Sequence, residues 1–398
     1  NENGVNRDIN GWLKLDSTHT VFNYLWIANA SDLGGAGSAS KIDSKTVREV
    51  ARYRTVTCFS NKAGSVDQCD GTKGCCSIDD WNRYQARKNK MPEPGHQAVQ
   101  TTGNHPFRTS WDFSADVMVA NRAPGGQASV TRIRNDPRYC SDRNGNGRID
   151  TSSDVDGNGV IQTDCNGDGA PDDLASVRRT PCSNGMAQEF FGLDDECVAF
   201  TVNVFNRNVE ASAVSVGGFV TGPDSDTWVG APTGTFLRLD GATHLLNEEV
   251  TLPPSCTGAG GPWGMAMDAS LIAWVTEKGA GKLCWFDARK LSGSGAVRDP
   301  QWGPMVGDGL TLDRDQNVWV GSGVERYTPD RSNGFKNLGS GWWTKITGRF
   351  GIGIAADSRS ANAYYVYSCD GGSVLQIPAS TIKVMKMDQQ VNPNGWAS

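Results

Sequence analysis

Three tryptophans and a tyrosine, Trp228, Trp274, Trp319 and Tyr365, recur at intervals of 46, 45 and 46 residues, each in a short apolar run such as Trp-Val-Gly or Tyr-Val-Tyr. A period of this length is one strand-turn-strand unit, which cannot bury its faces alone and must stack on copies of itself. A second signal precedes the first. In Met265–Asp268 and Leu310–Asp313 an alternating run ends in an aspartate six residues before the Trp, and Ile354–Asp357 repeats it with a longer turn. Another strand-like run follows each aromatic: 282–287, 324–328 and 373–377. The aromatics are expected to fill the wedges between neighbouring sheets. The aspartates are expected to accept hydrogen bonds from turn amides.

The same unit is visible earlier as 109–112 followed by Val117–Asn121, and as 11–16 followed by Leu25–Asn29. Spacing is broken there: Trp26 to Met118 is 92 residues and Met118 to Trp228 is 110. The excess over one period is matched by a cysteine-rich insertion over 58–103 and an acidic one over 137–198, the latter placed between the second and third units. The expected fold is therefore all-β, a single β-propeller over 1–398. Six blades account for nearly the whole chain, and seven stay open if one insertion hides a degenerate blade.

The acidic insertion carries a chemical pattern. Calcium takes six to eight oxygen ligands, and a loop supplies them from short acidic or amide side chains at positions 1, 3 and 5, with glycine at 6 and a backbone carbonyl at 7. Asp142, Asn144, Asn146 and the Arg148 carbonyl fit that frame, with Asp150 at position 9. So do Asp154, Asp156, Asn158 and the Val160 carbonyl, followed by Asp164, Asn166, Asp168, the Ala170 carbonyl and Asp172. None has a glutamate at position 12; in the first loop Ser153 stands there, and Asp154 is expected to be shared between neighbouring ions. Over 142–173 the pattern resembles thrombospondin type 3 and dockerin-like calcium repeats. Calcium is the expected cofactor, in a structural role, since eight aspartates against two arginines repel one another without it.

Eleven cysteines without paired Cys-x-x-Cys or histidine clusters point to disulfides and an oxidising compartment. Four fall in 58–76 and four in 140–197, so each group can close on itself; Cys256, Cys284 and Cys369 leave one thiol over. No apolar run reaches the roughly 20 residues of a membrane span, and Asn1 reads as the start of a mature secreted form. A net charge of −6 with no basic domain argues against nucleic acid. Arg83, Arg87, Lys88 and Lys90 beside Trp81 and Tyr84 are a candidate docking surface for an anionic partner, or simply a solvated helix face.

The blade runs, above all Leu25-Trp-Ile-Ala-Asn29 leading to Ser40–Asp43, Val117–Asn121 leading to Val130–Ile133, and Gly309–Val320, resemble NHL-type and virginiamycin B lyase-like propellers. That resemblance implies the fold over most of the chain outside the insertions. It also implies, for the family's lyases, a metal held by histidine and glutamate at the propeller mouth. Here His19, His96, His105 and His244 do not align with those positions, and Glu277 has no evident histidine partner. Asn29, Asn121 and Glu277 share one strand register, as the calcium ligands of lactonase propellers do. No other catalytic constellation is present. The expected function is a secreted or cell-surface, calcium-stabilised module binding a protein, a glycan or a second copy of itself. The alternative is a metal-dependent lyase or lactonase acting at the propeller mouth.

Overall fold

Alternating apolar and polar residues separated by Gly-, Asp- and Asn-rich turns produce antiparallel strands throughout the computed structural model. The structure describes residues 24–30, 37–43, 45–55, 105–112, 114–122, 127–173, 181–183, 185–206, 209–217, 225–256, 261–277 and 282–289. It also describes the strands and short turns outside those ranges that are named below. Six sheets of three or four strands follow one another along the chain. Sheet I holds Tyr24–Asn29, Ser38–Asp43 and Arg48–Tyr53; sheet II holds Pro106–Trp111, Val117–Asn121, Ser129–Ile133 and Val198–Asn203. Sheet III runs from Ala213–Val216 to Leu246–Thr251, and sheet IV holds Pro262–Met267, Ile272–Glu277 and Lys282–Asp287. Sheet V begins with Leu310–Leu312 and sheet VI with Gly353–Asp357. The first strand of each of these six sheets lies beside the first strand of the next. Consecutive meandering sheets joined along their first strands define a propeller-like fold.

The repeat predicts the packing between sheets. Trp228, Trp274 and Trp319 lie in the second strands of sheets III, IV and V and are almost wholly buried. Trp228 meets Phe286 of sheet IV edge-on at 5.3 Å, and Trp274 meets Tyr327 of sheet V at 5.8 Å. Trp228 and Trp274 therefore fill wedges between neighbouring sheets, a burial worth a few kcal/mol each. The aspartates take turn amides as expected: Asp268 from Ser270 and Ile272, Asp313 from Asn317. They also accept the indole N–H six residues on, Trp274 at 3.0 Å and Trp319 at 2.7 Å.

Sheet III has no aspartate at that place, and the Trp228 indole nitrogen is buried without a hydrogen-bond partner. This difference is testable. Trp319→Phe is expected to cost about 1.5 kcal/mol more stability than Trp228→Phe, because both remove the same atoms but only the first gives up a hydrogen bond to a carboxylate. Equal losses in urea unfolding would contradict the account.

Two placements differ from the sequence reading. The acidic segment does not separate the second and third units; it interrupts sheet II, between its third strand, Ser129–Ile133, and its fourth, Val198–Asn203, which pair directly. A period count cannot tell an insertion inside a unit from one between units. The run 11–16 was expected ahead of Leu25–Asn29 in the first unit; its strand, Leu13–Leu15, pairs instead with Val5–Arg7. Of the 58–103 segment little is described beyond the short ladder Cys76–Ser77 with Gln97–Ala98 and a turn reaching Met91, and most of its cysteines, with Trp81, Arg83, Tyr84 and Arg87, lie outside the described residues.

Candidate metal centre

The three acidic loops are built on one hydrogen-bond frame. In each, the position-1 aspartate receives the position-6 glycine amide: Asp142 from Gly147 (2.8 Å), Asp154 from Gly159 (2.9 Å) and Asp164 from Gly169 (2.9 Å). In each, the position-3 side-chain oxygen accepts the position-5 amide. Asn144 takes Asn146, Asp156 takes Asn158, and Asn166 takes Asp168. Position 5 does the same for position 7: Asn146 takes Arg148, Asn158 takes Val160, and Asp168 takes Ala170. Such winding requires left-handed backbone at positions 4 and 6, and there the loops have Gly145 and Gly147, Gly157 and Gly159, Gly167 and Gly169, all with φ between 71° and 86°.

A carboxylate closes each frame. Glu196 accepts the amides of Arg143, Asn144 and Asp150, which are positions 2, 3 and 9 of the first loop, at 2.7, 3.1 and 2.8 Å. Glu189 accepts the corresponding amides of the second loop, Val155, Asp156 and Gln162, at 2.9, 3.2 and 2.9 Å. In the third loop Asp172 takes positions 2 and 3, Cys165 and Asn166, from within the loop. Sequence reasoning missed both glutamates because it searched inside twelve-residue windows. The available signal was two glutamates seven residues apart on the returning segment, beside loops with no acid at position 12.

The second loop is where acids converge. Asp154, Asp156 and Glu189 each present an oxygen within 4.8 Å of the others, and Asp154 Oδ1 is buried with no hydrogen-bond partner. In the first loop the Asn144 and Asn146 amides both donate to Asp150 Oδ2 at 2.8 Å, and Arg148 pairs with Asp150 Oδ1. In the third, Asn166 donates to Asp172 Oδ1 at 2.7 Å. A set of hard oxygens with an unused buried carboxylate oxygen suits calcium or magnesium rather than zinc.

The segment is fastened at both feet and along its length. Disulfides join Cys140 to Cys197 and Cys165 to Cys182; a third, Cys256–Cys284, ties the approach to sheet IV to that sheet. The 140–197 cysteines thus close on themselves as the spacing suggests, and Cys256–Cys284 leaves Cys369, whose side chain lies outside the described residues. The segment lies along the outer strand of sheet I. The Asp154 amide donates to the Val50 carbonyl, the Arg52 amide to Ser152 Oγ, and Arg54 grips Asp173 through two bonds of 2.6 Å. Gly192 permits the return, since a Cβ there would sit 2.4 Å from Asp173 Cα. Asp195, buried beneath Thr151 and Ser152, has its carboxyl pushed up to about 6 by loss of solvent, against the pull of the Ser152 and Cys197 amides.

Between the segment and sheet I a cleft of about 410 Å³ is lined by Tyr24, Lys41, Tyr53, Asn135 and Thr151–Ser153, among others. Lys41 stands between sheets I and II, donates to the Asn135 carbonyl at 2.8 Å and lies 4.2 Å from the Tyr24 ring centre. Burial lowers its amine to about 8. Phe107 of sheet II and Trp263 of sheet IV meet at 5.2 Å, with Arg108 and Arg122 against the rings. Asn121 spends its amide on Thr55, Ser129 and Thr131, and Asn29 on Ser38 and Ser40. His244 stacks on Phe200, and the His105 carbonyl accepts the Arg122 amide; His19 and His96 lie outside the described residues. Among the described residues no histidine joins a group of potential metal ligands.

Meandering antiparallel sheets with an ordered acidic, disulfide-closed segment define the class: a propeller-like protein carrying a candidate cation site. No protein-family model matches the chain, and no curated protein does. Among solved structures it is similar to virginiamycin B lyase from Staphylococcus aureus, at 12% identity over 73% of this chain and 72% of that one, with a TM-score of 0.39. It is similar as well to a protein of unknown function from Bacteroides caccae (7% identity, 92% and 94% covered, TM-score 0.44) and to U3-55K (7%, 92% and 77%, TM-score 0.43). Among the described residues no helix is long and apolar enough to cross a membrane.

Proposed function

We propose that the chain is a six-bladed, calcium-stabilised propeller of the extracellular or cell-surface environment, acting as a binding or scaffolding module for a protein or glycan partner. The observation that carries this reading is the common frame of the three acidic loops, laid against the edge of sheet I. Three disulfides fit an oxidising compartment. Calcium stiffens the segment, and the segment forms one wall of the cleft beside Tyr24 and Lys41. A cleft walled by hydroxyls, an amine and an aromatic edge suits a sugar. The lyase or lactonase alternative has one observation behind it, the buried Asn121 Oδ1 with no hydrogen-bond partner, but among the described residues the one group of three potential acid, thiol or imidazole ligands is Asp154, Asp156 and Glu189, in the acidic segment.

Calcium titration followed by thermal melting and a glycan array tests the reading. Calcium at 1,000 times its dissociation constant is expected to add about 4 kcal/mol per site if only the folded state binds, and glycan binding is expected only with calcium present. A melting temperature indifferent to chelator would refute the calcium role. A calcium-loaded protein that binds no glycan and no protein partner and stays monomeric at high concentration would refute the binding role.

A further inference from the structure

The first two loops have Ser153 and Cys165 at position 12, and Cys165 is consumed in a disulfide. Neither loop can complete an oxygen cage from its own twelve residues. We infer that Glu189, arriving from the returning segment, is a direct oxygen ligand of the cation in the second loop, while Glu196 is a positioning residue that shapes the first loop. This rests on the calcium reading and assigns which residue outside the loops completes which site.

The two glutamates do the same hydrogen-bonding work, each taking the amides at positions 2, 3 and 9 of its loop. What separates them is the company they keep. Glu189 closes to within 4.8 Å of Asp154 and Asp156, and among the described residues this is the one group of three potential ligands that does so. Beside it Asp154 Oδ1 is held away from solvent with no donor, whereas Asp154 Oδ2 has the Gly159 amide. A buried carboxylate oxygen without a donor is costly unless a cation uses it. Glu189 Oε2 accepts one amide, from Gln162, and an ionised carboxylate oxygen retains a further lone pair for a metal. Glu189 is itself only 2% exposed, so its carboxylate is held in place beside Asp154 and Asp156. In the first loop the position-9 acid, Asp150, already has Arg148 and two asparagine amides.

The second site would therefore join the loop and the returning segment through one ion, next to the contacts that Asp154 and Ile161 make with the outer strand of sheet I. It should be the tightest of the three, since among the described residues it alone brings three carboxylates within 4.8 Å of one another.

The test uses calcium calorimetry and terbium luminescence on the intact chain. In Glu189→Gln one site is expected to weaken at least about tenfold, and the bound terbium is expected to gain a coordinated water, read from decay rates in H2O and D2O. Glu189→Asp keeps the charge and shortens the reach, and is expected to bind with intermediate affinity; it serves if the glutamine variant does not fold. Glu196→Gln is expected to weaken a different site without raising the water number. A titration of folded Glu189→Gln or Glu189→Asp that superimposes on the parent would overturn the inference, as would identical water numbers in the Glu189 and Glu196 variants. A parent protein that binds no calcium would instead remove the reading beneath it.

Discussion

Replacing Arg132 by methionine is expected to cost about 3–5 kcal/mol of stability, the usual loss when one partner of a buried ion pair is removed. The guanidinium is wholly buried between the first turn of sheet II and the foot of the acidic segment. It donates to Asp112 at 2.8 Å and to Asp116 at 3.0 Å, and both carboxylates are buried. Burial first, and then the neighbouring Asp116 charge, pushes the Asp112 carboxyl up to about 6 even with Arg132 present. Its raised value means that its contribution to stability is present below the usual carboxylate range and is lost as pH rises through 6. Without the cation the Asp112 carboxyl would be still harder to ionise, while Asp116 keeps Arg134 at 2.7 Å, so the deficit of Arg132→Met should shrink between pH 7 and pH 5. Urea unfolding at the two pH values measures this. A deficit under 1 kcal/mol at pH 7, or one that grows at pH 5, would show that Arg132 merely fills space. Removing all three charges together, with Asp112→Asn and Asp116→Asn added, should cost less than removing the cation alone.

Much of this architecture was legible because packing between repeated sheets imposes a period. Trp228, Trp274 and Trp319 hold the same buried place in successive second strands, and in sheets IV and V the aspartate six residues earlier must reach both a turn amide and the indole, so spacing and residue type survive where little else does. Where the period is interrupted, local pattern no longer places an element. The acidic segment was recognised, but its place inside sheet II depends on Ser129–Ile133 pairing with Val198–Asn203 across a long separation, which no local pattern announces. Its binding along sheet I, through Asp154, Ser152 and Asp173, is likewise set by the tertiary fold. The loop residues themselves follow from sequence because positions 1, 3 and 5 obey local backbone geometry. Glu189 and Glu196 do not, because their role is set by the fold that returns them to the loops.

The largest effect expected within the segment is that of opening Cys140–Cys197. The bond joins residues 57 apart, and everything between them, including the three loops, Glu189 and Glu196, is a single closed excursion from sheet II. Cross-linking a loop of that size removes chain entropy from the unfolded state worth about 4 kcal/mol in the simplest treatment. Native contacts limit how much of this is felt. Arg134 donates its amide to the Cys197 carbonyl, and Arg143 reaches the Val198 carbonyl at 3.0 Å, so the feet of the excursion stay together without the sulfurs. The double substitution of Cys140 and Cys197 by serine should therefore destabilise the segment more than the sheets. Proteolysis within 142–173 should accelerate by orders of magnitude, while the burial of Trp274 and Trp319, followed by fluorescence, changes little. On the proposed structural role, calcium would enter the same equilibrium. If the ions bind only the docked segment, the serine variant should recover much of its protease resistance in saturating calcium and lose it again in chelator. The disulfide parent should depend on calcium less steeply, because one constraint already substitutes for the other. Equal calcium dependence in the two proteins would mean that the disulfide and the ions order separate parts of the segment; a variant cut no faster than the parent in chelator would mean that Arg143, Glu196 and Arg54 suffice to hold it.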